Sequence, residues 1–198
     1  MVRIEYRVQD ASGRQATEVA EISLVPVRSE VLVADGAAAS VFVPEDGGSD
    51  AEWMLPGFDD QSWQSDVSGV GYERSSGYED FFRFDVEGAL FNQGTSVYVR
   101  IPFTVEDPLQ YSLLTLRMRY DDGFVAYLNG VEVARANVEG AAPLAWDAAA
   151  SASHADAEAV EFSAFDISSF GNLLVRGENL LAVHGLNRSA DSSDLLVV

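Results

Sequence analysis

Acidic residues come in clusters along this chain, and clustered carboxylates are the first place where its residues could do chemistry. Glu45 and Asp46, Asp121 and Asp122, and Asp191 and Asp194 are the best candidates among them. Calcium is bound by about six to eight oxygens of this hard type, so Asp121, Asp122, Asp191 and Asp194 are the candidate metal ligands. None of these clusters has the spacing of the helix-flanked calcium loop, and a structural calcium would have to be assembled by folding. The competing use of so many acids is a solvated surface.

A second chemistry is open to the aromatic residues and their polar neighbours. Tyr72, Arg74, Tyr78, Phe81 and Phe82 crowd one segment, Trp146 and His154 another, and Asn187 and Arg188 a third. Sugars present apolar C–H faces and a rim of hydroxyls, which aromatic platforms and bidentate Asp, Asn and Arg side chains recognise. The same aromatics have a plainer use, which is to pack long loops onto a core. Trp53 and Trp63, on either side of "PGFDDQS", read as core residues, and Asp59 and Asp60 between them as turn residues or further calcium donors.

Nucleophilic and acid–base catalysis have little to draw on. His184 sits in the apolar run "LLAVHGL", His154 stands alone in "SASHADAEA", and no GxSxG, HExxH or phosphate-binding glycine loop occurs. With 32 acidic residues, chance alone places carboxylates across any cleft, so pairing of acids carries no catalytic information.

These residues must be positioned by strands. From Val31 onward the chain is a series of short β-runs separated by Gly, Asp, Ser and Pro, with no sustained helical period. "FVAYLNGVEVARAN" is a hairpin folded at Asn129–Gly130, "TSVYVRIPFTV" and "LLTLRMRYDD" alternate, and "ENLLAVHGLN" and "DLLVV" close the chain. Alternating strand directions bring four connections to one end: the loop from Gln64 to Thr95, the Asp121–Asp122 turn, the loop from Asn137 to Glu161, and "NRSADSSD". That end gathers Tyr72, Arg74, Tyr78, Phe82, Asp121, Asp122, Trp146, His154, Asn187 and Arg188 as candidate ligand-binding residues. Residues 1–28 form a separate hairpin around "DASGRQ" or a linker, which leaves 29–198 for the main domain.

Composition narrows the classes. An apolar fraction of 47% supports a real core. The 32 acids against 12 bases give a net charge of −20, a field that repels nucleic acid and anionic membrane. Without cysteine there is no disulfide, thiolate metal site or cysteine nucleophile. The longest apolar runs fall far short of the ~20 residues of a membrane span, and the start of the chain has no signal-peptide pattern.

At "WMLPGFDDQSW", "YVRIPFTV", "RYDDGFVAYLNGVEVARAN", "FDISSF" and "GENLLAVHGLN" the sequence resembles the galactose-binding-like jelly-roll domains, including the sugar-binding domain of β-galactosidase-type glycosidases. The first hairpin is similar to the closing strands of immunoglobulin-like or cadherin-like modules. The resemblance implies an all-β, two-sheet antiparallel β-sandwich from a large secreted or cell-surface bacterial multidomain protein, often with a structural calcium and without catalysis. Its expected partners are a polysaccharide or glycan and neighbouring domains of the same polypeptide. The alternative implied role is a structural or adhesion spacer, calcium-stabilised, with no glycan ligand.

Overall fold

The computed structural model describes residues 2–22 and 29–198 and divides the chain into two compact units, Met1–Val31 and Leu32–Val198. In the first unit, β1 (Val2–Gln9) pairs antiparallel with β2 (Gln15–Ile22). Asp10 makes the turn, because its Oδ1 accepts the backbone N–H groups of Ser12 and Arg14, both at 2.9 Å. A short polar side chain that satisfies the backbone in this way is what a tight turn needs.

The second unit is an all-β sandwich. In chain order its elements are β3 (Ala38–Phe42), β4 (Gln64–Val67), β5 (Val70–Glu73), β6 (Phe84–Asp85), α1 (Glu87–Leu90), β7 (Ser96–Val105), β8 (Thr115–Met118), β9 (Tyr120–Asp121), β10 (Gly123–Leu128), β11 (Val131–Ala136), α2 (Asp156–Ala159), β12 (Ser163–Asp166), β13 (Gly177–Leu186) and β14 (Asp194–Val197). One layer is a six-stranded antiparallel sheet ordered β11-β10-β13-β7-β3-β4. The other runs β6-β5-β14-β9 and continues through β8 to β12. It is continuous because β8 and β9 are one line of chain, across which Arg119 and Val198 still exchange backbone bonds of 2.8 and 2.9 Å.

The expected hairpin at Asn129–Gly130 forms, with φ of +51° and +87° at the two turn residues. Both angles lie in the left-handed region that the favoured two-residue hairpin turn demands. The segment from Gln64 to Thr95, expected as a loop, instead supplies β4, β5 and β6. These runs are too short to show a period, and β5 is specified by its pairing with the distant β14 rather than by its own alternation.

The core explains the apolar runs. Val97, Val99 and Ile101 of β7, Phe124, Ala126 and Leu128 of β10, and Leu181 and Val183 of β13 face the second layer, where Leu116, Met118, Tyr120, Leu195 and Val197 meet them. The intervening residues Tyr98, Val125, Tyr127, Leu180 and Ala182 pack under Trp53, Met54, Trp63 and Leu144 on the opposite face. Covered on both faces, the central strands have no polar side to alternate with. Trp53 and Trp63 are thus core residues, and Trp53 stacks on Tyr98 with ring centroids 4.2 Å apart.

The covering segment is held by a buried cation. Arg100 of β7 donates through Nε to Asp60 Oδ2 at 2.8 Å and through Nη1 to the carbonyl oxygens of Trp53 and Leu55. Asp59 caps the same turn through Gln61 N. Asp59 and Asp60 therefore build the turn. Among the described residues no helix is long and apolar enough to cross a membrane.

Candidate functional site: a polar cleft at one end of the sandwich

Three connections meet at one end of the sandwich because the strands before them end there. β9 ends at Asp121 and delivers Asp122, β13 ends before Asn187 and Arg188, and the loop after β11 carries Ser153, His154 and Asp156. The last connection returns through Ser189, Ser192 and Ser193 to Asp194, the first residue of β14. Apart from the buried Asn187, these residues line a cleft of about 470 Å³.

Asp122 sets the shape of this cleft. Its Oδ1 accepts the backbone N–H of His154 at 3.2 Å and its Oδ2 that of Arg188 at 2.8 Å, while its carbonyl oxygen accepts Asn137 Nδ2 at 2.9 Å. A single buried carboxylate thus ties two loops to one turn. The His154 ring stacks on Tyr120 with centroids 4.2 Å apart, and its Nδ1 lies 2.8 Å from the Tyr120 carbonyl oxygen. Because a carbonyl only accepts, Nδ1 carries the hydrogen in that contact. Arg188 is exposed; its Nη1 reaches Ser153 Oγ at 3.3 Å.

Asp121, Asp156 and Asp194 each offer a carboxylate oxygen within 4.8 Å of the others, and the three can hold a metal ion. Burial raises the Asp121 carboxyl far above its ordinary range; the hydrogen bond from Tyr78 opposes the rise, and Asp122 and Asp194 add to it. Burial also raises Asp194, against a hydrogen bond from Ser193 and with Glu73, Asp156 and Asp122 pushing the same way. Converging acids disfavour one another's charge, and a bound cation would relieve that conflict. The donor set fits calcium, since three carboxylates with the Ser192 and Ser193 hydroxyls beside Asp194 are all hard oxygens.

Of the expected ligand-binding residues, Asp121, Asp122, His154 and Arg188 line the cleft, and the others are placed elsewhere. Tyr72 is fully buried, its hydroxyl donating to Ser192 O at 2.8 Å and accepting from Asn187 Nδ2 at 2.9 Å. Asn187 is equally buried. Tyr78 is buried with its hydroxyl on Asp121, and Phe82 packs beside it with Ala159 and Leu196. Trp146 packs into the cluster around Trp53. Arg74 pairs with Glu87 at 3.1 Å and lies over the Phe91 ring. The expected aromatic platform is therefore not an exposed surface; its rings are half-buried or buried, because each had a sheet face or a loop to cover.

The metal candidates are also redistributed. Asp122 has both oxygens committed to backbone N–H groups, and Asp191 is exposed and outside the triad. Asp156, which sequence reasoning passed over, takes their place; its only signal was its position two residues after His154. Glu45 and Asp46 form no part of the triad, and Asp46 caps its own turn through Gly48 N at 2.9 Å. His184 is a core residue, with Nε2 2.8 Å from Ser96 Oγ.

No family model and no curated protein matches this chain. Solved structures similar to it include a β-glucuronidase of Ruminococcus gnavus, with 16% identity and a TM-score of 0.46 over 83% of this chain and 23% of that one. Others are a β-glucuronidase of an uncultured Clostridium (14%, TM-score 0.45, 83% and 24%) and a β-glycosidase from Bacteroides vulgatus (12%, TM-score 0.43, 83% and 20%). The chain spans less than a quarter of the length of each.

Proposed function

We propose that the sandwich is a galactose-binding-like, non-catalytic carbohydrate-binding module of a secreted or cell-surface multidomain protein, and that it takes the hydroxyl-rich edge of a sugar in the end cleft. The observation that supports this most is the lining of the cleft: Asp, Ser, His and Arg side chains converge, with no apolar side chain among them. Its volume falls within the ~300–1,000 Å³ of small-molecule sites, but those are mostly apolar. A wall of acceptors and hydroxyls suits a polyol, whose hydroxyls donate to Asp and accept from Arg188.

One observation favours a second reading, a calcium-stabilised spacer without a glycan. The carboxylate triad converges while the aromatic rings that would stack on a sugar are withdrawn into the fold. Affinity electrophoresis of the full chain against a panel of neutral and acidic polysaccharides, with calcium and again with chelator, separates the two. Retardation that Arg188→Ala abolishes carries the binding-module reading. No retardation, together with a melting temperature that falls on chelation and ceases to respond in Asp156→Asn, carries the spacer reading. A ligand present at about 100 times its dissociation constant adds ~2.7 kcal/mol, a shift that thermal melting resolves.

A further inference from the structure

In a chain with 32 acidic residues against 12 basic ones, two neighbouring arginines with no acid beside either form a local basic spot. Arg74, Arg83, Arg100, Arg135 and Arg176 each have a carboxylate within 4.0 Å. Arg117 and Arg119 have none among the described residues, although they stand two apart on the same line of β-chain. Leu116, Met118 and Tyr120 of that line are buried, so Arg117 and Arg119 share its outer side with Asp121 at the cleft.

Both guanidinium groups are held by aromatic rings. Arg117 Cζ lies 4.4 Å and Arg119 Cζ 3.9 Å from the Phe162 ring centroid, and Arg119 also lies 4.7 Å from the Phe81 centroid. Arg119 Nε donates to Val160 O at 2.7 Å, whereas Arg117 donates to no acceptor among the described residues. The rings hold these cations in place while the N–H donors of Arg117 have no protein acceptor among the described residues, and a guanidinium binds an oxyanion edge-on and in bidentate fashion. Much of the entropy of ordering two long side chains is lost before any ligand arrives.

We propose that Arg117 and Arg119, clamped on Phe162, form a second glycan subsite that binds the carboxylate or sulfate group of an acidic polysaccharide whose chain continues from the end cleft. This rests on the carbohydrate-binding reading of the cleft. The outward line Arg117, Arg119, Asp121 covers about 13 Å at ~3.3 Å per residue, so one extended ligand can reach both places. The net charge of the chain repels a polyanion at long range, so the subsite works at short range and distinguishes acidic from neutral glycans once the cleft is filled.

The test is affinity electrophoresis of the full chain against polygalacturonate and its fully methyl-esterified form, chondroitin sulfate and its desulfated form, and poly-L-glutamate. At least one acidic glycan is expected to retard the chain roughly tenfold more strongly than its neutral counterpart, about the worth of one charge-assisted bond. Arg117→Gln, an exposed side chain with no hydrogen bond to lose, should remove that preference while leaving the neutral form bound and the melting temperature unchanged. Arg119→Lys, which keeps the charge but not the fork, should weaken it in part. Equal retardation by the acidic and neutral forms, or indifference to Arg117→Gln, overturns the subsite and leaves the cleft reading standing. Equal retention by poly-L-glutamate overturns it in favour of an acidic protein partner. No retardation by any glycan overturns the subsite and the cleft reading together.

Discussion

The hydroxyl of Tyr78 donates to Oδ2 of Asp121 at 2.5 Å, joining the apolar cluster of Tyr78, Ala159 and Leu196 to the lining of the cleft. Both residues are buried. The bond stabilises the charged form of Asp121 against its own burial, and burial together with Asp121 raises the Tyr78 hydroxyl far above its ordinary value. Tyr78→Phe should therefore lower unfolding free energy by about 1–3 kcal/mol, the cost of a buried acceptor left without its donor. Urea titration measures the loss, and an unchanged midpoint would show that water replaces the hydroxyl.

Asp122 is the residue on which the cleft depends for its shape. Asp122→Ala deprives the His154 and Arg188 amides of their acceptor, at a cost of about 2 kcal/mol or more. Hydrogen exchange should report it locally: the amides of His154 and Arg188 lose protection, while those of β7 and β13 lose only what the global destabilisation accounts for.

His184 is fully buried, and desolvation lowers its pKa from 6.5 to about 3. Between those values the unfolded chain holds a proton that the folded chain refuses, so stability falls as pH drops from about 6.5 to about 3 and this loss levels off below that. The slope approaches ~1.4 kcal/mol per pH unit. It is read as the difference in pH slope of unfolding free energy between the wild type and His184→Gln. The His184 ring resonances should keep their neutral-form shifts at pH 4.5, and a midpoint near 6.5 would contradict the burial seen here.

Arg100→Met should destabilise the sandwich. It leaves Asp60 without its ion-pair partner and strands the carbonyl groups of Trp53 and Leu55. Asp60 keeps partial contact with water, so the loss comes mainly from the hydrogen bonds left unmade and is expected at about 1–3 kcal/mol. Loss of the Trp53 stack on Tyr98 would appear as an early red-shifted fluorescence transition, ahead of loss of the β-sheet circular dichroism signal.

Much of the architecture could be read from local signals. Asn129–Gly130 requires positive φ at two successive positions, and a hairpin turn is the common answer to that need. The strands β7, β10 and β13 announced themselves by length and apolar content. Counting strand directions was enough to send Asp121, Asp122, His154, Arg188 and Asp194 to one end, because each residue lies at or just beyond the end of a strand or in the loop between two strands.

What sequence could not determine was which of the residues at that end would face the solvent. Tyr72, Tyr78, Phe82 and Trp146 are chemically suited to hold a sugar, but rings next to a sheet face lose more water by covering it than by standing free. Asp122 and Asp156 differ in no local feature that sorts a clamp from a donor. Their roles separated only when the backbone N–H groups of His154 and Arg188 arrived at one carboxylate and the side chains of Asp121 and Asp194 at the other. Arg100 and Arg117 are likewise both strand arginines flanked by apolar residues, yet one is buried against the carbonyls of the covering loop and the other is exposed beside the Phe162 ring. Side-chain type and strand order are local or nearly local properties of the chain; partnership is a property of contacts between segments tens of residues apart, and it exists only in the folded structure.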